Sequence, residues 1–346
     1  LLQDLGKMGR EVWITGCLPA ARESLLDAFP EVRVLLPGEV GRAPDHLLSS
    51  PCGPVAVVQT GSGCLGACRF CITRLARGRI HSIPREDILK EIERAVAGGA
   101  VEIRLTGQDL SAYGYDWGSP CLPDLLTCIG GLEGDFFVRL GMMNPATLAP
   151  VAGDVAKALQ NDHFFSFVHL PAQSGADSVL SLMNRGYTAE QFFTLADQFR
   201  KIDPGMAIAT DMIVGFPGEG DAEFRESVRF LSRLGPDMVN VTRYSYRPGS
   251  TASRTGEMPD RIKKDRSREL IRTAYQILKT RRQALIGKKV EIIITEKIRD
   301  GSVMGRNQTY TGVVVPESLP VGERCTVEIT GNRIHYLLGR SVSRDD

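Results

Sequence analysis

Between residues 54 and 245, short apolar runs rich in β-branched and aromatic residues alternate with longer stretches of helical period. The apolar runs are PVAVVQT (54–60), VEIRLTG (101–107), FFVRLGMM (136–143), HFFSFVHL (163–170), GMAIATDMIVG (205–215) and DMVNVTRYS (237–245). Helices are predicted over 84–99, 122–131, 177–201 and 221–235, and near 147–160. Strand–helix alternation predicts an α/β fold with a parallel sheet, and six strands would form a partial (β/α)6 barrel rather than the full eight.

Shorter patterns flank this region. Residues 261–286 predict a charged helix, and five short apolar runs with glycine turns between 287 and 346 predict a small closed β-barrel. Barrels of this kind often bind RNA. Residues 1–48 predict a helix and the strand REVWITG, the truncated end of an N-terminal α/β domain whose first strands are absent. We therefore expect domains over 1–48, 49–260 and 287–346, with 261–286 as a linking helix.

Glycine-rich and polar sequences follow the predicted strands where each one ends. They are TGSGC, TGQD, GMMNP, HLPAQSG, TDMIVGFPGE and YSYRPGS. In parallel α/β folds the carboxyl ends of the strands form the active-site face, so we expect these segments to converge although they are scattered in sequence.

The charge is distributed unevenly although the net charge is only +1. Residues 261–346 carry 18 Lys and Arg against 10 Asp and Glu, whereas the first 260 residues carry 24 against 31. A basic C-terminal region suggests a nucleic-acid contact, and a solvated basic helix is the alternative. The sequence has no run of eighteen apolar residues and no signal peptide at LLQDLGKMGR, so we expect a cytoplasmic protein without a membrane span.

The stretch GSGCLGACRFC (61–71) places Cys64, Cys68 and Cys71 within eight residues. A closed zinc site needs four ligands, and here it would have to borrow Cys52 or Cys121. A [4Fe–4S] cluster normally takes four cysteines, so three would leave one iron open to a small molecule. S-adenosylmethionine (SAM) could bind that iron and be cleaved reductively to a radical, whereas zinc would be structural.

The C-x3-C-x2-C motif directly after the first strand, with Phe70 before its last cysteine, resembles the radical SAM superfamily. CRFCITRLARGRIHS, LTGQDLSAYGYD, HLPAQSGADSVLSLMNRGYT, TDMIVGFPGE and YSYRPGSTA resemble the methylthiotransferases, over essentially the whole chain. LARGRIHS, QDLSAYGYD and LGMMNP are similar to the archaeal and eukaryotic branch that acts on N6-threonylcarbamoyladenosine (t6A) in tRNA. The C-terminal barrel resembles a TRAM domain.

This resemblance implies a [4Fe–4S] cluster on Cys64, Cys68 and Cys71, and two SAM molecules that convert t6A at tRNA position 37 to its 2-methylthio derivative. It implies as partners the tRNA anticodon stem-loop, an electron donor and a sulfur source. It also implies a second, auxiliary [4Fe–4S] cluster held by Cys17 and two upstream cysteines that are not in this chain. Related substrates remain alternatives, namely isopentenyladenosine or a protein, as does an RNA-binding protein with structural zinc.

Further cofactor contacts are implied residue by residue, and no catalytic residue is assigned beyond the cluster ligands. The family's second-strand motif meets the methionine end of SAM, and the later strand ends supply contacts for ribose, carboxylate or substrate. Arg185 could instead be an exposed helix residue, and Asp211 could instead cap the turn that follows it. The implied contacts are Gly107, Gln108, Gln173, Ser174, Arg185 and Asp211.

Overall fold

A computed structural model describes residues 12–15, 32–35, 53–252, 257–299, 301–333 and 335–342. Strands β1 (Val12–Thr15) and β2 (Val32–Leu35) pair in parallel. The strand predicted over 10–16 is therefore confirmed. The helix predicted before it, and Cys17, lie outside the described residues.

Six parallel strands form the central sheet, as predicted. The strands of this region are β3 (Val55–Gln59), β4 (Gly61–Ser62), β5 (His81–Ser82), β6 (Glu102–Thr106), β7 (Phe137–Leu140), β8 (Phe167–His169), β9 (Ala207–Val214) and β10 (Met238–Arg243). β3, β6 and β7 form one parallel group and β8, β9 and β10 another. Parallel bridges from Val138 to Phe164 and from Met142 to His169 join β7 to the β8 segment. The strands thus follow one another in chain order, which is the arrangement of a partial (β/α)6 barrel.

The helices follow the strands in the predicted order. They are α1 (Thr73–Arg77), α2 (Arg85–Ala97), α3 (Leu122–Gly130), α4 (Pro145–Leu148), α5 (Ala152–Ala158), α6 (Asp177–Leu182), α7 (Ala189–Ile202), α8 (Asp221–Leu234) and α9 (Asp260–Gln283), with short 3-10 turns at Leu110–Ala112, Tyr115–Trp117 and Ala149–Val151. The main core fills the space between sheet and helices, and Ile103, Val138, Phe164, Phe192 and Ile208 are fully buried there.

One predicted helix is two helices. The chain turns between α6 and α7, where Asn184 and Gly186 adopt positive φ angles of 58° and 73°. Thr188 and Gln191 then form a reciprocal capping box that starts α7. The interruption has a functional consequence, because it frees residues 183–187 to approach the cysteine loop.

The C-terminal region forms the predicted closed barrel. Its strands are β11 (Lys289–Arg299), β12 (Ser302–Asn307), β13 (Gly312–Val315), β14 (Arg324–Asn332) and β15 (Leu337–Ser341), joined in the order β11-β12-β13-β15-β14. The barrel docks at the amino ends of the central strands. Tyr310 packs against Phe165 and Phe167, and its hydroxyl donates to Glu102 Oε1 at 2.7 Å. The small barrel and the cysteine loop therefore lie at opposite ends of the central strands.

Candidate active site

The cysteine loop leaves the carboxyl end of β3 and is closed by a small antiparallel hairpin that the sequence did not predict. β4 pairs with β5, and the Cys64 amide donates to the Gly78 carbonyl at 3.2 Å. Gly63 has a φ of 75°, and a Cβ there would lie 2.5 Å from the Arg79 carbonyl carbon. Only glycine lets the two ends of the loop approach so closely.

The three thiols share one cavity. Cys64, Cys68 and Cys71 are half-buried and line a space of about 390 Å³, together with residues of α1 and of the segment after β10. A Cβ at Gly66 would lie 3.6 Å from Cys64 Sγ and 3.8 Å from Cys68 Sγ, so both sulfurs face the same space. The TGSGC and YSYRPGS segments, which follow different strands, therefore meet at one cavity.

Local contacts hold and polarise these sulfurs. The Thr73 amide donates to Cys71 Sγ at 3.3 Å, at the start of α1. Burial raises the pKa of Cys64 to about 11, and the negative charges of Asp109 and the other two thiolates add to the effect. A bound cation would have to displace that proton, since thiolates rather than thiols ligate metals.

Arg185 lies in the turn between α6 and α7, and it is buried rather than exposed. Its Nη1 donates to Cys68 Sγ at 3.1 Å, its Nη2 to the Pro171 carbonyl at 2.8 Å and its Nε to the Tyr187 hydroxyl at 3.1 Å. The side chain is only 6% exposed, so the alternative of a solvated helix residue is excluded. A buried guanidinium beside the Cys68 thiol contributes positive charge where three thiols gather.

The same turn docks onto the cysteine loop through two further hydrogen bonds. Asn184 Nδ2 donates to the Ala67 carbonyl at 2.9 Å, and the Arg69 amide donates to the Met183 carbonyl at 3.0 Å. The positive φ of Asn184 sets this approach. The interruption of the predicted helix therefore positions both Arg185 and the loop.

The motif after β6 contributes one unsatisfied polar atom. Gln108 Oε1 is buried and has no hydrogen-bond partner among the residues that the structure describes. Buried acceptors are normally paired, so this oxygen is a candidate for a ligand contact. Gly107 leaves room beside it, because an added Cβ would meet its nearest neighbour, Thr60 Oγ1, at an ordinary 3.5 Å.

Asp109 is a residue of this motif that the sequence did not single out. Its carboxylate is 3% exposed and accepts hydrogen bonds from Ser111 Oγ at 2.6 Å, Thr147 Oγ1 at 2.7 Å and the Asn144 amide at 3.0 Å. Desolvation raises its pKa although these donors oppose the shift. Asp109 thus ties the β6 end to the β7 end, and its place directly after a strand was the only sequence signal.

Gln173, four residues after β8, lies beside Asp211, which is inside β9. The Gln173 amide donates to the Asp211 carbonyl at 2.7 Å, with Gln173 in the left-handed region at a φ of 72°. The Asp211 carboxylate accepts from His169 Nε2 at 3.1 Å and from Asn240 Nδ2 at 2.8 Å. Desolvation raises the pKa of Asp211, but the contacts with His169 and Asn240 and the charge of Arg185 together outweigh it, so the pKa is lowered. Asp211 links three neighbouring strands and does not cap a turn.

Ser174 has a different environment from the other candidates. Its hydroxyl accepts from the Ala176 amide at 3.2 Å and lies 3.4 Å from Ser227 Oγ on α8. The side chain therefore contacts the helical layer, and it does not line the cysteine cavity.

The GFPGE segment after β9 supports the cysteine loop. Phe216 packs edge-to-face against Phe70 of the cysteine motif, with ring centroids 6.5 Å apart. Glu219 Oε1 accepts from the Gly215 amide at 2.9 Å and from Arg266 Nη1 at 2.6 Å, which fixes the turn to α9. Arg266 lies 47 residues away, and no sequence signal pairs it with Glu219.

Comparison with known proteins assigns the chain to a family. The Radical SAM superfamily model matches residues 58–231 and the TRAM domain model matches residues 283–342. A probable threonylcarbamoyladenosine tRNA methylthiotransferase of Archaeoglobus fulgidus is 39% identical over 97% of this chain and 84% of that protein. The chain belongs to the radical SAM threonylcarbamoyladenosine tRNA methylthiotransferase family.

Other members of this methylthiotransferase family extend the match. The Pyrococcus abyssi relative is 36% identical over 99% of this chain and 86% of its own length, and the human protein is 32% identical over 84% of this chain and 50% of its own length. Among solved structures, Escherichia coli coproporphyrinogen III oxidase (HemN), a radical SAM enzyme, aligns with a TM-score of 0.52 at 15% identity. That alignment covers 88% of this chain and 76% of HemN, and it supports the fold alone.

The described side chains do not have the spacing that a single metal ion requires of its ligands. A zinc site brings its ligands to about 2.3 Å from the ion, so the sulfurs must nearly touch. Among the described residues, no three His, Cys, Asp or Glu side chains are placed to hold one ion. Cys121 borders a different cavity, beside Tyr113 and Trp117.

None of the described helices is long and apolar enough to span a membrane.

Proposed function

We propose that this protein replaces the C2 hydrogen of N6-threonylcarbamoyladenosine at tRNA position 37 with a methylthio group. The observation that carries the proposal is the match over nearly the whole chain to a relative named for this activity, combined with three thiols around one cavity. The C2 hydrogen is not acidic, so acid–base catalysis cannot remove it. Radical chemistry meets that requirement, and the family supplies it.

Cys64, Cys68 and Cys71 are the proposed ligands of a [4Fe–4S] cluster that leaves one iron for SAM. A bound cluster would supply one electron for reductive cleavage of the SAM sulfonium, and the resulting radical would abstract the hydrogen from C2. The chain's own contribution is to keep three sulfurs at one half-buried cavity and to set positive charge beside them through Arg185. Among the described residues, the lining of that cavity holds no fourth cysteine, histidine or carboxylate, which agrees with an open iron position.

We assign the neighbouring polar groups to binding SAM and substrate. Gln108 offers a buried acceptor that has no partner among the described residues, and Gly107 precedes it without a side chain of its own. Gln173 presents a strained backbone after β8, and Asp211 presents an ionised carboxylate on the adjoining strand β9. Ser174 then serves only to hold this segment against α8. We assign the exclusion of water to the contact between Phe70 of the cysteine motif and Phe216.

The remaining elements of the proposal extend the resemblance. Cys17 is a proposed ligand of an auxiliary cluster that carries the inserted sulfur, and it lies outside the described residues. An electron donor and a sulfur source are proposed partners. The proposed domain division is 1–48, 49–260, 261–286 and 287–346, with the C-terminal barrel binding tRNA.

The experiment is complementation of a strain that lacks its own t6A methylthiotransferase, followed by nucleoside mass spectrometry of its tRNA. The complementing gene also encodes the two upstream cysteines that the proposed auxiliary cluster requires. We expect 2-methylthio-t6A with this gene, none with its Cys68→Ala variant, and full activity with the half-buried barrel control Cys325→Ala. Methylthio-isopentenyladenosine in place of the t6A product would overturn the substrate assignment. Anaerobically purified protein that carries stoichiometric zinc and no iron would overturn the radical mechanism.

A further inference from the structure

A cavity outside the candidate active site lies between α9 and the turn that connects β14 to β15. It measures about 750 Å³, which is ample for a nucleotide. Its walls are mainly apolar and aromatic, with polar groups around them. The lining residues used below are Tyr275, Lys279, Ile286, Arg333, His335 and Tyr336.

The aromatic side chains come from both walls and are accessible. Tyr275 on α9 and Tyr336 on the β14–β15 turn are half-buried, and His335 is exposed. Tyr275 and His335 meet edge-to-face, with centroids 6.1 Å apart. Ile286 is 39% exposed at the end of α9. Flat, amphipathic rings that stay partly open to solvent suit the stacking of a planar base.

Basic residues dominate the sequence around the cavity, although Arg281 forms an ion pair with Asp237 at 3.1 Å. Residues 270–290 contain Arg272, Lys279, Arg281, Arg282, Lys288 and Lys289 and no acidic residue. Lys279 and Arg333 are exposed, and in the described part of the chain no carboxylate forms an ion pair with either. An apolar aromatic cavity bordered by unpaired cations fits a ligand that combines a planar ring with an anion, which is a nucleotide.

Hydrogen bonds to backbone carbonyls hold the walls of the cavity in place. The Arg333 amide donates to the Tyr336 carbonyl at 2.8 Å, and Asn332 Nδ2 donates to the Lys279 carbonyl at 3.4 Å. Arg282 Nη1 donates to the Arg333 carbonyl at 3.3 Å. The turn is therefore tied to α9, and the cavity is formed before any ligand arrives.

We propose that this cavity binds one unstacked nucleotide of the substrate tRNA, with its base between Tyr275 and Tyr336 and its phosphate near Lys279 and Arg333. The proposal rests on the proposed function, because it names a second tRNA contact away from the reacting adenosine. α9 connects the two places: Arg266 holds the active-site turn, and Tyr275 and Lys279 follow 9 and 13 residues later, about 14 and 20 Å along the helix.

The test is tRNA binding by fluorescence anisotropy at several salt concentrations, with the natural chain and matched variants. We expect Tyr275→Ala with Tyr336→Ala to weaken binding at least tenfold without changing the salt dependence, since stacking carries no charge. Tyr336→Phe should bind within twofold of the natural chain. Lys279→Gln should lower the salt slope by about one, whereas Lys90→Gln, an exposed lysine on α2, should leave it unchanged.

Ultraviolet crosslinking of the natural chain to tRNA provides a readout that does not depend on how the variants fold. Crosslinked peptides that contain Tyr275 or Tyr336 would support the proposal. Crosslinks found only elsewhere, double-variant affinity within twofold of the natural chain, or displacement of tRNA by polyglutamate but not by oligouridine would overturn it. If the natural chain binds no tRNA at all, the proposed function fails first; if it binds and the variants bind equally, only the cavity assignment fails.

Discussion

Substituting Gly63 by alanine tests whether the β4–β5 hairpin holds the three thiols in position. Gly63 has a φ of 75°, which alone costs an alanine about 1–2 kcal/mol. An added Cβ would also lie 2.5 Å from the Arg79 carbonyl carbon and 2.9 Å from the Gly78 oxygen. Both are backbone atoms, so the strands have to separate rather than a side chain rotate away.

Separation would break the Cys64 amide bond to Gly78 and the short pairing of β4 with β5. With about three hydrogen bonds at roughly 1 kcal/mol each, the hairpin loses about 3 kcal/mol in addition to the φ cost. Gly301→Ala is the matched control, because Gly301 has the same φ of 75° and nothing within 4 Å of an added Cβ. The control isolates the backbone cost from the clash.

The assay is iron per chain after anaerobic reconstitution, with urea unfolding on the same samples. We expect Gly63→Ala to retain a small fraction of the iron and Gly301→Ala to retain all of it, although both lose some stability. Equal iron content in the two variants would refute the claim that this hairpin positions the cysteines.

Three further substitutions separate binding from stability. Gln108→Ala should weaken SAM binding severalfold and leave the melting temperature unchanged or higher, since it removes an unpaired buried acceptor; a lower melting temperature with unchanged SAM affinity would contradict this. Arg266→Leu should cost about 3–5 kcal/mol by leaving Glu219 buried without its partner. Burial already raises the pKa of Glu219, so protonation at pH 5 should restore part of the loss seen at pH 8, and a pH-independent loss would rule out this cause. Arg185→Lys keeps the charge but loses the three-point contact that includes Cys68, so we expect a shifted cluster EPR spectrum or reduction potential; an unchanged spectrum and potential would show that Arg185 only packs.

The local patterns determined the elements of this fold. Each of the six apolar runs between 54 and 245 is a strand, because β-branched and aromatic residues bounded by glycine and proline have few other stable arrangements. Thr188 and Gln191 show the limit of such patterns. These two residues form a capping box that starts α7, whereas the helical period alone predicts a single helix over 177–201. The period does not indicate the break at Asn184.

The sequence by itself also determined where the candidate site lies, because the spacing of Cys64, Cys68 and Cys71 is a local property that any fold of that loop must respect. The tertiary structure alone decided what surrounds those thiols. Arg185 comes from 117 residues beyond Cys68, and Arg266 reaches Glu219 from 47 residues away. Contacts between distant segments depend on how whole elements pack, and no short stretch of sequence encodes them. The cavity between α9 and the small barrel also depends on tertiary packing, because it is enclosed only where these two elements meet.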